Sequence, residues 1–192
     1  MGRWEPNAQA RLRQAAMDLY AERGFDQTTV AEIAEKAGLT ERTFFRHFGD
    51  KREVLFGGSE RLQEMLVASV TAADPGTDPA VTVAAAFEHA AEDYFPPVGY
   101  SRQRQQVIDA NPGLQERELA KLDGLAAAMA AALRERETPD LPAALIAETG
   151  VAAFKVAFVR WVTDPADAPL LGHVRSAFAA LGDVWSFAPG RI

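Results

Sequence analysis

The sequence predicts an all-α protein, and three observations support that fold class. Apolar residues recur at helical spacing along almost all of the 192 residues. No segment alternates apolar and polar side chains as a half-buried strand would. Breaks rich in proline, glycine and asparagine, such as Asp74–Pro79 and Asn111–Pro112, divide the pattern into helix-sized segments. We therefore expect an N-terminal three-helix domain joined by a long helix to a C-terminal helical bundle, with about nine helices in total.

The first two predicted helices have well-defined ends. A helix over residues 7–24 carries an apolar stripe and stops at Gly24. A second helix, over residues 29–37, begins with a capping box: the Thr29 hydroxyl can accept from the amide of Glu32, and the Glu32 carboxylate can reach back.

A tight turn separates the second helix from the third. Gly38 stands where only glycine enters the left-handed region at low cost, and Thr40 can cap a helix of about two turns that ends at His47. The chain then restarts at Asp50 as a helix that we expect to continue to about Ala73.

Five further helices fill the rest of the chain, each ended by a proline-containing break where another helix follows. Their approximate ranges are 80–95, 101–111, 113–137, 142–163 and 168–187. We divide the chain into one domain over residues 1–52 and a larger one over residues 53–192.

Composition excludes some chemistries and leaves nucleic-acid binding open. The chain has no cysteine, which excludes disulfides, thiolate metal sites and cysteine nucleophiles. Its net charge is −7, but residues 1–56 balance nine basic against nine acidic side chains, so the acidic excess lies in residues 57–192. A DNA-facing surface can therefore exist on this acidic chain. Because we find neither a signal peptide nor a membrane-spanning run, we expect a cytoplasmic protein with no membrane partner.

Residues 29–48 fit a helix-turn-helix. Small Ala34 can stand where the two helices cross, and Gly38 can form the turn. Three apolar residues can hold the helices together: Ile33, Leu39 and Phe44. The pattern alone does not decide the function, because unrelated helix pairs can share an alanine and a glycine by chance.

A wider segment is more specific. The runs Thr28–Thr40, Thr43–Phe48 and Asp50–Leu55, with Gly24-Phe25 before them, closely resemble the DNA-binding domain of the TetR family of repressors. The resemblance covers about residues 8–56 and implies a one-component regulator that binds DNA through its N-terminal domain and senses a small ligand through the rest. We expect no enzymatic activity, no catalytic residue, no cofactor and no metal.

The resemblance also implies DNA contacts at particular positions. Bases or a thymine methyl would be faced by Arg42, Thr43 and Phe45, and phosphates would be contacted by Thr28, Thr29, His47 and Lys51. Thr40, which begins the same recognition helix, is a further DNA-binding candidate. Phe45 stands where the family often has tyrosine, so a hydroxyl contact is lost there. His47 and Lys51 would equally suit plain solvated side chains.

The C-terminal helices could enclose a ligand between apolar walls and a few polar groups. The candidate ligand-binding residues are Met65, Phe87, Tyr94, Tyr100, Arg104, Ile108, Met129, Phe154 and Phe158. Most of them would also suit an ordinary core, and that alternative stays open. Their apolar majority favours a hydrophobic or amphipathic effector.

The last two predicted helices carry more apolar surface than one core can cover, which favours a four-helix dimer interface with their symmetry mates. The candidate interface residues are Val151, Val159, Val174, Phe178, Leu181 and Trp185. A two-fold dimer also matches a palindromic operator.

Together these expectations describe a homodimeric repressor that is released from a palindromic operator by a small effector. The helix from Asp50 to about Ala73 would act as a rigid lever between the two sites. The alternatives are a small-molecule-binding helical protein or an enzyme with no DNA role. An enzyme would need converging catalytic groups, and the three histidines His47, His89 and His173 lie on separate elements without metal-ligand spacing.

Overall fold

A computed structural model describes residues 7–186, with side chains described up to residue 184. All regular secondary structure in that range is helical, which confirms the predicted fold class. The helices are α1 (Ala8–Arg23), α2 (Val30–Lys36), α3 (Glu41–His47), α4 (Glu53–Phe56), α5 (Ser59–Ala72), α6 (Pro79–Asp93), α7 (Val98–Asp109), α8 (Pro112–Glu135), α9 (Asp140–Thr163) and α10 (Leu170–Ser186).

The predicted continuous helix from Asp50 to about Ala73 is wrong. The helix α4 ends at Phe56, Gly57 and Gly58 form a turn, and α5 begins at Ser59. Each glycine inside a helix costs about 1 kcal/mol relative to alanine, so two in succession favour a break. The rigid lever is therefore absent, and the break gives one helix more than expected in the described residues.

The chain forms two compact units. The first combines the chain up to Gly58 with the later segment Arg102–Glu118, and the second combines Ser59–Ser101 with the chain from Leu119 onward. The predicted division between residues 52 and 53 does not coincide with these units. The first unit is larger than the predicted first domain, because Arg102–Glu118 also belongs to it. Helical periodicity does not reveal the long-range contacts that bring this segment there.

The first unit is organised around α1, which contacts α2, α3 and α4. Its fully buried side chains include Leu12 and Met17 of α1, Ile33 of α2 and Phe44 of α3. From the later segment, the Gln103 side-chain amide donates to the Met17 carbonyl at 3.0 Å. This packing holds the α2–α3 pair against α1.

The second unit packs α9 against α10 and α6, and α6 also against α5. Gly150 permits a close approach between α9 and α6, because a Cβ there would lie 2.5 Å from Cγ1 of Val83. Helix α9 is long and apolar enough to pass a length-and-composition test for a membrane span. Ala143, Ala147 and Ala157 of α9 are fully buried in the unit, as in the core helix of a globular protein.

Candidate nucleic-acid interface

Hydrogen bonds at both ends of the capping box define the start of α2. The Thr29 hydroxyl accepts from the Glu32 amide at 3.3 Å, and the Thr29 amide donates to the Glu32 carboxylate at 2.9 Å. The backbone bond from Thr29 is the main reason that the pKa of Glu32 lies below its usual value. The Thr29 hydroxyl also donates to the Glu32 carboxylate at 2.9 Å. Thr29 is exposed, but its side chain is already engaged in capping.

The turn between α2 and α3 depends on glycine. Gly38 has a φ of 63°, in the left-handed region. A Cβ there would also lie 2.9 Å from Nη2 of Arg11. That guanidinium donates to the carbonyl of Ala37 at 2.5 Å, so α1 holds the end of α2.

Helix α3 has a buried face and an exposed face. Phe44 is fully buried, whereas 54% of Phe45 is exposed. Arg42 and Arg46, one helical turn apart, are exposed and make no hydrogen bond or ion pair with the described residues. This face therefore presents two available cations beside an aromatic ring, the chemistry that base edges, thymine methyls and phosphates can accept.

Arg46 was not among our predicted contacts. Helical spacing identifies Arg46 as a candidate contact, because it lies four residues after Arg42, on the side of α3 away from buried Phe44 and Phe48.

The predicted contacts near the start of α3 are partly occupied. The Thr40 hydroxyl accepts from the Thr43 amide at 3.2 Å, and the two hydroxyl oxygens are 3.1 Å apart. Thr40 is exposed and Thr43 is half-buried. Thr40 therefore caps the helix at the end that would approach DNA, and Thr43 donates the capped amide.

Two predicted phosphate contacts are less accessible than expected. Thr28 is only 1% exposed, and its hydroxyl donates to the Gly24 carbonyl at 2.9 Å. His47 is half-buried, and its Nε2 atom is shielded without a hydrogen-bond partner in the described residues. Thr28 is therefore part of the local packing rather than the surface. The residue types around it in the sequence do not reveal this burial.

Lys51 is also engaged within the protein. Its ammonium donates to the carbonyls of Phe25 at 2.8 Å, Asp26 at 3.2 Å and Thr28 at 2.9 Å. It also lies 4.4 Å from the centre of the Phe25 ring. The predicted phosphate contact competes with these bonds.

The predicted ligand-binding residues are divided between the two units. Arg104 and Ile108 belong to the first unit, and the other seven belong to the second. Ile108 is fully buried. Arg104 donates to the Leu55 carbonyl at 2.7 Å and to Glu118 at 3.0 Å, so it is not an available anion partner.

In the second unit, the predicted ligand residues are mainly core. Phe87 and Met129 are fully buried, and the rings of Phe87 and Phe154 stack with centroids 4.9 Å apart. Phe95 connects Phe154 and Phe158, at 5.5 and 5.7 Å. Met65 is half-buried against the same core, and Tyr94 and Tyr100 are half-buried.

The predicted dimer residues include both buried and partly exposed side chains. Val151 and Val174 are buried within the protomer, because α9 and α10 pack on each other and on α6. Phe178 is half-buried, with its ring 5.9 Å from that of Phe87, whereas Val159 is 45% exposed. Leu181 is half-buried, and the side chain of Trp185 lies outside the described residues.

A search of residues 7–186 finds no group of three or more side chains that could hold a metal ion.

The geometry of the first unit is that of a helix-turn-helix: a capped α2, a glycine turn, and an α3 whose outer face carries available arginines. Residues 12–56 match the family described as bacterial regulatory proteins, tetR family.

A curated relative is similar to part of the chain. The chain is 34% identical over 76 residues to the transcriptional regulator TcmR of Streptomyces glaucescens. That match covers 40% of this chain and 34% of TcmR, so the chain matches about a third of the relative's length.

Solved structures extend the likeness of fold to nearly the whole chain. The complex of SmeT with triclosan superposes with a TM-score of 0.63 at 20% identity and covers 97% of each chain. SmeT is the repressor of a multidrug efflux pump of Stenotrophomonas maltophilia. FadR of Bacillus subtilis in complex with stearoyl-CoA superposes with a TM-score of 0.57 at 20% identity, over 90% of this chain and 96% of that one.

Proposed function

We propose that this protein is a transcriptional repressor that inserts α3 into the major groove of operator DNA. The observation that carries this proposal is the outer face of α3, where Arg42 and Arg46 are exposed beside the exposed ring of Phe45 and have no partner among residues 7–186. A helix admitted to the major groove can read guanine through arginine and the thymine methyl through an apolar side chain. Such a repressor acts in the cytoplasm.

The operator is bound by a homodimer. Helix α9 carries a row of exposed apolar side chains: Leu141, Leu145, Val156 and Val159. On α10, Val184 is 69% exposed. A second copy of the chain, related by a two-fold axis, would cover these side chains and present two α3 helices to a palindromic operator.

The effector is a small hydrophobic or amphipathic molecule that binds in the second unit. Seven of the predicted ligand residues lie there, around a cluster of aromatic rings that includes Phe87, Phe95 and Phe154. Among the described residues, no charged side chain is buried, so a buried ionic ligand would lack a partner. Two neighbours in fold are solved with such ligands: SmeT with triclosan, which is hydrophobic, and FadR with stearoyl-CoA, which is amphipathic.

The effector signal reaches the first unit through α7 and α8. Each of these helices has residues in both units. Inside the first unit, Arg104 binds the last turn of α4, and Arg117 pairs with Glu53 at its start. An effector that shifts α7 or α8 would change how α4 is held, in place of the lever that the sequence had suggested.

DNA selection tests the proposed function. The wild-type protein should enrich a palindromic duplex from a random pool. Arg42→Ala should weaken binding to that duplex by ~1–3 kcal/mol and relax the preference at one position in each half-site. Arg61→Ala, which removes an exposed arginine of α5, is the control and should bind as the wild type does. Failure to enrich any duplex would exclude the DNA-binding role.

Titration of an effector tests the proposal that ligand binding releases the protein from its operator. A ligand found by thermal-shift screening should bind more weakly when operator DNA is present, and by the same factor that it weakens DNA binding. A coupling of ~1–3 kcal/mol would change operator affinity roughly 5- to 150-fold. Equal ligand affinity with and without DNA would contradict the proposed release mechanism.

A further inference from the structure

The turn that precedes α4 is connected to the loop between α1 and α2 by one side chain, that of Lys51. The Lys51 ammonium binds the carbonyls of Phe25, Asp26 and Thr28, at 2.8, 3.2 and 2.9 Å. These carbonyls belong to the segment immediately before Thr29, whose capping box begins α2. Lys51 therefore connects residues that are 23 to 26 positions away in the sequence.

All three N–H donors of the Lys51 ammonium are engaged within the protein. A lysine ammonium has three N–H donors, and three carbonyl oxygens lie within hydrogen-bond distance. The Phe25 ring, with its centre 4.4 Å away, adds a cation–π contact on another side. A DNA phosphate could bind Lys51 directly only by displacing one of these carbonyls.

The backbone of Lys51 is held as well. The Tyr20 hydroxyl, from α1, donates to the Lys51 carbonyl at 2.6 Å. The rings of Tyr20 and Phe25 are 5.2 Å apart, so the same α1 residue contacts both ends of the connection. Both Tyr20 and Phe25 are buried, whereas Arg42 and Arg46 on α3 are exposed and unpaired within the described residues.

We propose that Lys51 is a positioning residue for DNA binding rather than a phosphate ligand. Its ammonium fixes the loop at Phe25–Thr28 and thereby the start of α2 and the placement of α3 against it. This inference rests on the proposed DNA-binding function. It assigns the direct contacts to exposed cations such as Arg46.

The experiment compares Lys51→Met with Arg46→Ala on the duplex enriched by the wild type and on a scrambled duplex, over a series of salt concentrations. Lys51→Met keeps the stem and removes the charge. It should weaken binding to the enriched duplex about tenfold at every salt concentration, with an unchanged salt slope and less than about a twofold effect on the scrambled duplex. Arg46→Ala should instead reduce the salt slope by about 0.9 on the enriched duplex.

Hydrogen exchange in the DNA-free protein supplies the second measurement. Lys51→Met should speed exchange at the amides of residues 26–29 and leave the amides of α8 in the second unit unchanged, because only the loop loses its restraint. A variant that merely loses stability would weaken binding to both duplexes equally and would speed exchange throughout the first unit.

A Lys51→Met salt slope reduced by about 0.9, with unchanged exchange at residues 26–29, would overturn the proposal and establish a phosphate contact. If Lys51→Met does not fold, Tyr20→Phe removes only the hydroxyl that holds the Lys51 carbonyl. That variant should also speed exchange at residues 26–29, and unchanged exchange would count against the proposal. If the wild type enriches no duplex, the DNA-binding function fails, but the exchange measurement still tests whether Lys51 restrains the loop.

Discussion

Gly150 lacks a Cβ atom, and this single difference from other residues permits the close contact between α9 and α6. It lies within α9, where glycine is unfavourable for helix formation, yet its backbone approaches α6 so closely that no Cβ fits beside Val83. Phe87, on the same helix as Val83, would lie 3.5 Å from that Cβ. Both neighbours are buried core residues, so neither has open space into which to move.

We expect Gly150→Ala to lower the free energy of unfolding by ~1–3 kcal/mol, because the added methyl group overpacks the α6–α9 contact. Gly124→Ala is the matched control. Gly124 is an exposed helical glycine of α8 with open space around its Cβ position, so the alanine should raise stability by about 0.5–1 kcal/mol. Urea unfolding of both variants measures the difference. A stabilising Gly150→Ala would show that the two helices can separate without cost.

At the element scale, short helices depend on the groups that satisfy their ends. Helix α2 has seven residues, too few to be stable alone, and its first amides are satisfied by Thr29 and Glu32. Arg23 also pairs with Glu32 at 2.8 Å, which connects the end of α1 to the start of α2. The carboxylate of Glu32 therefore serves both helices only while it is ionised.

The pKa of Glu32 predicts how the stability of this element depends on pH. Because its pKa in the folded protein is lowered from 4.5, Glu32 stabilises the fold above that value and loses its contribution as the pH falls through the lowered pKa. Glu32→Gln should therefore be destabilising near neutral pH and should reduce the slope of stability against pH below about 4.5. Glu35→Gln, which removes an exposed carboxylate of the same helix outside the capping box, controls for the loss of one negative charge. Thermal unfolding from pH 3 to pH 7 provides the measurement, and parallel curves for Glu32→Gln and wild type would contradict the expected role.

For the whole molecule, the central question is what covers the exposed apolar side chains of α9. Leu141, Leu145, Val156 and Val159 are all more than 40% exposed, although the opposite side of the same helix is fully buried. An apolar row of this length on one helix favours a partner surface. Phe178 is a poorer site for testing this idea, because its contact with Phe87 means that substitution would also disturb the core.

We expect Val159→Glu to convert a dimer to a folded monomer, because two introduced carboxylates would be desolvated in the proposed interface. Val81→Glu changes an apolar residue of α6 that is 59% exposed, and it should leave the dimer intact. Sedimentation at micromolar concentration, with circular dichroism to verify folding, separates the two results. A monomeric wild type would refute the proposed dimer.

The sequence by itself determined the features that depend on local chemistry. The Thr29–Glu32 capping box, the Gly38 turn and the Thr40 cap could all be read from residue types at fixed spacing, because their partners lie within a few positions. The helical fold class followed from periodicity over long segments. The Gly57-Gly58 break was also visible in the sequence, but our prediction gave the surrounding helical pattern more weight than the glycines.

Only the tertiary structure decided which side chains remain available. Lys51, Thr28 and Arg104 have the residue types of ligand-contacting groups, but backbone carbonyls close to them in space occupy their donors. Val151 and Val174 are apolar residues that suit either an interface or a core, and packing placed them in the core. The physical reason is that a side chain's donors and apolar surface are satisfied by whatever lies nearest in space. For Lys51 and Arg104 those neighbours are more than 20 residues away along the chain.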